Sequence, residues 1–518
     1  MKTVSFWIRT IACSLSFVLV AMAGLMAAAA QTVTPVTGIP PTLTPVTINN
    51  SAGDQYDPHI SGDWVSYTSD LSIRYYNFAT NADAQIPMGA SARDLLSDIS
   101  GSKIVFSRVI TAVKTALMVF DAATGAPPIE IDAALGTTRI GSAIGGNTVA
   151  YIDFGIEGHG ELVIHDLTTA ASVRITNDIA LDANPSVSPD GNVVTWEHCN
   201  TSSSNCDIWQ AVRSGPVWNV SSASDAADHE ANPDTNGSLV VYDSLRASNL
   251  DLFWRPGGGG EEVQLQLPGF EANPNFAGNL IAFESRATLF DTTDIFVYDI
   301  VNNRLFQITD TPLVTEQLND ITQLPNGDLR VVWTSDEDGF DQRNVKGATF
   351  SLPAPADLTP PVIIQPSDIT ANATMPSGAT VSFTVHATDN VGVASLVCTP
   401  SSGSVFPIGT SPVQCIASDA AGNTDGASFT VKIKGAPEQL VDLVALTAGT
   451  TLPPALKAKL LATFQAALAE PHNVQVACRV LNAFIVLVRL QPPSVIPTGK
   501  KNQMIADATR IKAVLGCP

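Results

Sequence analysis

The sequence predicts a mainly β protein, with a seven-bladed β-propeller followed by a β-sandwich and a small α-helical bundle. Three observations carry this reading. Seven short runs end in an aromatic residue two places after Val or Ile: Tyr67, Phe106, Tyr151, Trp196, Tyr242, Phe283 and Trp333, spaced by 39, 45, 45, 46, 41 and 50 residues. Such a period suits a four-stranded blade and is long for a leucine-rich repeat. After Asp357 the repeat stops and alternating strand and turn segments follow; beyond Leu440 the apolar spacing becomes helical.

Taken in order, the chain opens on a leader. Lys2 and Arg9 precede an apolar stretch from Ile11 to Met26, and Ala27 to Ala30 stand before Gln31, so residues 1–30 read as a signal peptide cleaved after Ala30. Cys13 precedes the apolar core, the wrong place for lipid attachment. The expected location is secreted or extracellular, with the periplasm as the alternative. No later run reaches the roughly 18 apolar residues of a spanning helix, so membrane insertion is not expected. Residues 31–43, rich in Thr and Pro, read as a linker.

Residues 44–352 read as the propeller. A turn precedes each aromatic strand (ISGDW, ISGSK, IGGNT, SPDGN, TNGSL, AGNL and LPNGD), and its Gly, Asn and Asp residues supply the positive φ that two-residue hairpins require. Asp57-Pro58, Asn184-Pro185, Asn232-Pro233 and Asn273-Pro274 read as strand openings, where proline breaks no ladder. The seventh repeat lacks a fourth strand before Pro353. Thr44 to Asn49 matches the fourth-strand segments of other blades, so the N-terminus is expected to close the ring. The SPDGN turn at Ser188 to Asn192, the DIFVYDI strand and the QIT ending resemble TolB-type and WD-related propellers of bacterial exported proteins. That resemblance implies fold, and a docking platform more than any one activity.

Residues 353–434 contain TPP, ATDN, CTPSSGSVFPIGTSPVQC and SDAAGN in order. This resembles the hyalin-repeat (HYR) domain, an immunoglobulin-like sandwich associated with adhesion and extracellular spacing, and the resemblance implies a disulfide between Cys398 and Cys415. Residues 437–518 carry four amphipathic stripes, including Leu456, Leu460 and Phe464 after the helix-starting Pro453-Pro454, so a four-helix bundle is expected. The segment resembles the helical FIMAH-type domain.

Loss of Lys2 and Arg9 with the leader takes the formal charge from −22 to −24, with no basic cluster, which excludes nucleic acid as a partner and favours cations and basic protein patches. The six remaining cysteines fall in three close pairs. Of fifteen possible pairings, only Cys199 with Cys206, Cys398 with Cys415 and Cys478 with Cys517 keeps every bridge inside one domain. Neither a nucleophile elbow, HExxH nor a P-loop is present, so no catalytic, cofactor-binding or metal-binding residue is assigned. His229-Glu230 reads as a solvated loop, and GIEGHG at Gly155 to Gly160 joins two strands instead of opening a helix. Asp336, Asp338 and Asp341 alternate like calcium ligands but lack the glutamate that completes an EF-hand, so calcium stays open as a cofactor. Asp57, Asp182, Glu230 and Glu271 recur near blade openings, where they either crowd one mouth of the channel or cap turns. The expected function is non-enzymatic binding or adhesion to an extracellular protein or glycan through the propeller. The alternative is a propeller-based polysaccharide lyase or hydrolase, its His and Asp residues gathered from different blades.

Overall fold

The computed structural model describes residues 31–518 except 90–91, 112–113, 134–137, 156–157, 201–204, 225–226, 247–248, 258 and 470–472. The leader at residues 1–30 therefore lies outside the described residues. The chain divides into two compact units that meet between Ala354 and Pro355.

In the first unit seven sheets of antiparallel strands follow one another as meanders. Their inner strands are Gln55–Ser61, Arg93–Ser100, Arg139–Gly145, Leu181–Val187, His229–Thr235, Phe270–Ala277 and Glu316–Gln323. Each lies beside the next and the seventh beside the first, so the ring closes. The signature aromatics Tyr67, Phe106, Tyr151, Trp196, Tyr242, Phe283 and Trp333 sit on the second strands, wholly buried. Each contributes on the order of 2–3 kcal/mol of burial energy.

Closure uses the N-terminus. Strand β3 (Val46–Asn49) pairs antiparallel with Asn344–Phe350 and is the outer strand of blade 7. The stretch ahead of it is not a free linker, because it contains two further strands. β1 (Gln31–Val33) adds parallel to the outer strand of blade 5, with Gln31 opposite Val263, and β2 (Val36–Thr37) adds parallel to that of blade 6, with Val36 opposite Arg304. Thr/Pro composition concealed this, since two- and three-residue strands on an open edge need no apolar alternation.

The Asx-Pro steps also sit differently from the expectation. They lie inside the inner strands, two or three residues past the start, at a β-bulge. Asp57, Asn184, Asn232 and Asn273 have φ of 60°, 42°, 50° and 50°, the left-handed region that Asn and Asp tolerate best. The bulge leaves a residue unpaired, so the N–H that proline lacks is not missed. Leu96, Gly141 and Leu318 hold the same bulge in blades 2, 3 and 7.

These bulges tie blade to blade. Asn184 Nδ2 donates to Glu197 Oε1 at 2.7 Å, and that oxygen also accepts the Asn232 N–H of the next blade at 2.8 Å. Asp243 does the same for Asn232 Nδ2 and the Asn273 N–H, and Glu284 for Asn273 Nδ2 and the Leu318 N–H. Thr334 Oγ1 accepts the Asp57 N–H at 3.1 Å across the closing junction.

In the second unit the strands Ile369–Asn372, Thr424–Lys434, Gly409–Asp419 and Val393–Thr399 form the main sheet of the sandwich, with two short ribbons against it. Helices α1 (Ala436–Ala448), α2 (Pro454–Ala469), α3 (Val474–Arg489) and α4 (Thr498–Leu515) follow. One apolar cluster runs through both parts, from Phe406, Val413 and Phe429 to Leu440, Phe464 and Phe484. The sandwich and the bundle therefore share a core, where the sequence suggested separate domains. α1 starts one residue after the last strand, and its buried Gln439 donates to Lys434 O and Ala373 O, which fixes the helix to the sheet. Disulfides join Cys199 to Cys206, Cys398 to Cys415 and Cys478 to Cys517. No helix among the described residues is long and apolar enough to cross a membrane.

Candidate functional site

The propeller channel is lined by the residue two places beyond each bulge: His59, Asp98, Ala143, Ser186, Asp234, Asn275 and Asp320. All but Ala143 keep partial exposure, and all of these except Ser186 lie between buried neighbours on the strand. Three aspartates clasp the following blade through its backbone. Asp320 Oδ2 accepts the Ile60 N–H at 2.8 Å, Asp98 Oδ2 the Ile144 N–H at 2.7 Å and Asp234 Oδ2 the Phe276 N–H at 2.6 Å. Ser186 Oγ donates to the second Asp234 oxygen.

His59 stands between Asp320 of blade 7 and Asp98 of blade 2. Its Nδ1 lies 3.6 Å from Asp98 and 3.7 Å from Asp320, and its Nε2 3.7 Å from Asp57. Burial alone disfavours the imidazolium, but hydrogen bonding to Asp320 and Asp57 and the fields of Asp57 and Asp98 outweigh it and hold His59 protonated well above its ordinary value. Asp98 moves up because burial outweighs the help of His59, and burial pushes Asp234 to about 6. The lining is thus one imidazolium among carboxylates. Its contribution to stability is present in full below the unfolded imidazole value and is lost as pH rises through the higher folded value. The ring proton resonances of His59 should therefore titrate well above pH 6.5; titration at or below that value would mean the cluster does not form.

The sequence did not single out this ring. A usable signal was present, since the residue directly after each Asx-Pro step falls at one register: His59, Ser186, Asp234 and Asn275. The acids it did single out lie elsewhere. Asp182, Glu230 and Glu271 are buried between strands of their own blades and do not crowd the channel mouth. Asp182 accepts from Trp196 Nε1 at 3.0 Å and stands 2.8 Å from His198 Nδ1, while Ser224 donates to Glu230 and Ser285 to Glu271. Burial raises Glu230 and Glu271 to about 8 each. Asp57 occupies the bulge itself, and Gln55 fills the position equivalent to those acids in blade 1.

His229 is not solvated either: its Nδ1 accepts the Cys206 N–H at 3.1 Å, and burial lowers its basicity. Asp336 Oδ1 accepts the Thr315 N–H and Asp338 Oδ2 the Asn344 side chain, so those carboxylates hold loops and do not converge with Asp341. GIEGHG joins the second and third strands of blade 3, with residues 156–157 outside the described set, as is His472. Glu197 gathers with Cys199 and Cys206, but both sulfurs are committed to their disulfide.

One end of the propeller carries the connections that lead into the inner strands and out of the second strands. Large apolar side chains stand in the open on this loop face, concentrated on blades 6 and 7: Phe290 at 96%, Leu313 at 93% and Phe340 at 61% exposure. The Thr293 carbonyl accepts the Glu316 N–H and Asp336 Oδ1 the Thr315 N–H, which brings their three connections together. Exposed Asp291, Asp310, Glu337, Asp338 and Asp341 lie on the same connections, and the Arg343 guanidinium stands over the Phe340 ring at 5.3 Å.

Fold and site together describe a seven-sheet propeller with a carboxylate-rich channel, joined in sequence to a sandwich-and-helix unit. Residues 356–433 match the family model for the HYR domain. No curated protein matches the chain. Among solved structures it is similar to a prolyl endopeptidase (12% identity, 64% of this chain and 56% of that one, TM-score 0.46). It is also similar to TolB from Acinetobacter baumannii (17% identity, 57% and 78%, TM-score 0.34) and to an oligogalacturonate lyase in complex with manganese (14% identity, 61% and 98%, TM-score 0.42). The chain thus spans little more than half of the prolyl endopeptidase.

Proposed function

We propose that this chain is an exported, non-enzymatic binding protein whose propeller loop face docks a basic protein segment bearing apolar side chains. The observation that carries this is the joint exposure of Phe290, Leu313 and Phe340 on adjoining connections rich in carboxylates. Isolated apolar residues are common on any surface, whereas three large ones on adjoining loops mark an interaction site. The carboxylates of these connections set the sign of the partner, and the net charge, −22 for the full sequence and −24 without residues 1–30, adds long-range attraction for a cationic chain. Export is supported by the leader and by three disulfides, which persist in oxidising compartments.

The test uses immobilised full chain and synthetic peptides of Lys and Leu, of Lys alone, and of Glu and Leu. Lys/Leu peptides should bind, and binding should weaken at least about tenfold between low and high salt as the Debye length shrinks. The triple change Phe290→Ser, Leu313→Ser and Phe340→Ser should abolish it with the melting curve unchanged. Equal binding of Glu/Leu peptides would overturn the reading. The enzyme alternative rests on His198, paired with buried Asp182 at 2.8 Å; release of new chain ends from a polysaccharide would put it in place of the binding reading.

A further inference from the structure

We propose that Asp357, Asp389 and Asp419 form a Ca²⁺ site at one pole of the sandwich. The three come from separate segments. Asp357 lies ahead of the strand Val362–Ile364, Asp389 directly follows His386–Thr388, and Asp419 ends Gly409–Asp419. One carboxylate oxygen from each falls within 4.8 Å of the others. Oxygens held by one Ca²⁺ at about 2.3–2.6 Å can be at most about 5 Å apart, so the spacing fits a common ion.

A second observation points to a missing ligand. Asp389 Oδ2 accepts the N–H groups of Val391 and Gly392, both at 2.9 Å. Its Oδ1 is closed off from solvent and has no hydrogen-bond partner. A buried acceptor left unsatisfied costs on the order of 1–3 kcal/mol, and more when charged. The carboxyl group it belongs to also stands close to two like charges, Asp357 and Asp419. The ion pairs of this unit, Lys432–Glu438, Lys434–Asp442 and Arg510–Asp507, lie elsewhere, so a cation is the group that satisfies the oxygen and offsets the repulsion.

Asn423 braces the cluster by donating to Asp419 Oδ2 at 2.8 Å and to the Asp357 carbonyl at 2.9 Å, and Asn390 donates to Asp357 Oδ1 at 3.2 Å. The donor set is all oxygen and carries three negative charges, the hard set that Ca²⁺ prefers, with water completing the shell. Bound there, the ion would tie the entry segment around Asp357 to the sandwich. This stands independently of the docking reading.

The test is calorimetric titration of EDTA-treated full chain with CaCl₂, read together with its melting curve. One Ca²⁺ per chain should bind with a Kd in the range of about 10⁻⁴–10⁻³ M typical of extracellular modules, and it should raise the melting temperature. Asp357→Ala, on a segment outside the core, should fold and weaken binding at least about tenfold; Asp389→Asn should do the same. Absence of heat and of a melting shift in the unsubstituted chain at about 10 mM Ca²⁺, unchanged binding by Asp357→Ala, or Mg²⁺ bound as tightly as Ca²⁺ would each overturn the proposal.

Discussion

Deletion of residues 31–49 should cost the propeller most of its cooperative fold, whereas deletion of 31–43 should lower its melting temperature by only several degrees. The difference rests on β3. Ile48 is 6% exposed and packs with Ile60, Val65, Tyr67 and Val345, so its loss removes roughly 1.5–3 kcal/mol of burial and uncovers that cluster. Asn49 Nδ2 donates to Tyr67 Oη at 2.7 Å, and Tyr67 in turn donates to Asp83, a network that joins blade 7 to blade 1. Without β3 the strand Asn344–Phe350 becomes a bare edge beside the closing junction. The shorter deletion removes β1 and β2, whose residues are mostly exposed and whose parallel pairings cover the edges of blades 5 and 6, together with the partly buried Leu43. Calorimetry of both truncations decides the matter. Equal melting temperatures would mean that β3 does not close the ring.

The second large effect is on pH. Stability of the propeller should fall steadily as pH rises from about 5 to 9. Burial raises Asp234 to about 6, Asp243 to about 7, and Glu230 and Glu271 to about 8. For Asp243 the nearby charges of Glu197 and Glu284 add to burial, against hydrogen bonds from Asn232 and Asn273. Between the unfolded carboxylate values and these folded ones, the folded chain holds protons that the unfolded chain has lost, so raising pH favours unfolding. His59 and His198, both raised, act in the same direction at higher pH. His165 and His229 are lowered by burial and oppose it only below about pH 6.5, where two imidazoles act against four carboxylates and reduce the slope without reversing it. A tenfold change in the proton affinity of a wholly buried group is worth about 1.4 kcal/mol at most, so the melting temperature should drop on the order of ten degrees between pH 6 and pH 9. Asp243→Asn keeps an acceptor for Asn232 and Asn273 and should flatten the profile. A melting temperature that rises with pH across this range would contradict the assigned burial.

The sequence by itself determined the repeat, because each blade must bury an aromatic on its second strand and turn on Gly, Asn or Asp, and both demands act on neighbouring residues. It also specified ring closure by Thr44 to Asn49 and the pairing of the cysteines, which local spacing and the interrupted seventh repeat expose. The channel cluster and the exposed loop residues of the proposed docking face were decided by tertiary structure. His59, Asp98 and Asp320 are brought together by the inner strands of blades 1, 2 and 7, from opposite ends of the propeller sequence, and the connections that carry Phe290, Leu313 and Phe340 meet only through bonds between blades 6 and 7. Asp182, Glu230 and Glu271 carry no mark in the sequence that separates them from channel acids. A bulge of one residue reverses which face a side chain takes, and that register is set by pairing with the next strand, not by the residues themselves. The same holds for β1 and β2, whose strand character comes from the open edges they meet, and for the shared core of sandwich and helices, which only the packing of Leu440, Phe464 and Phe484 with Phe406 and Phe429 reveals.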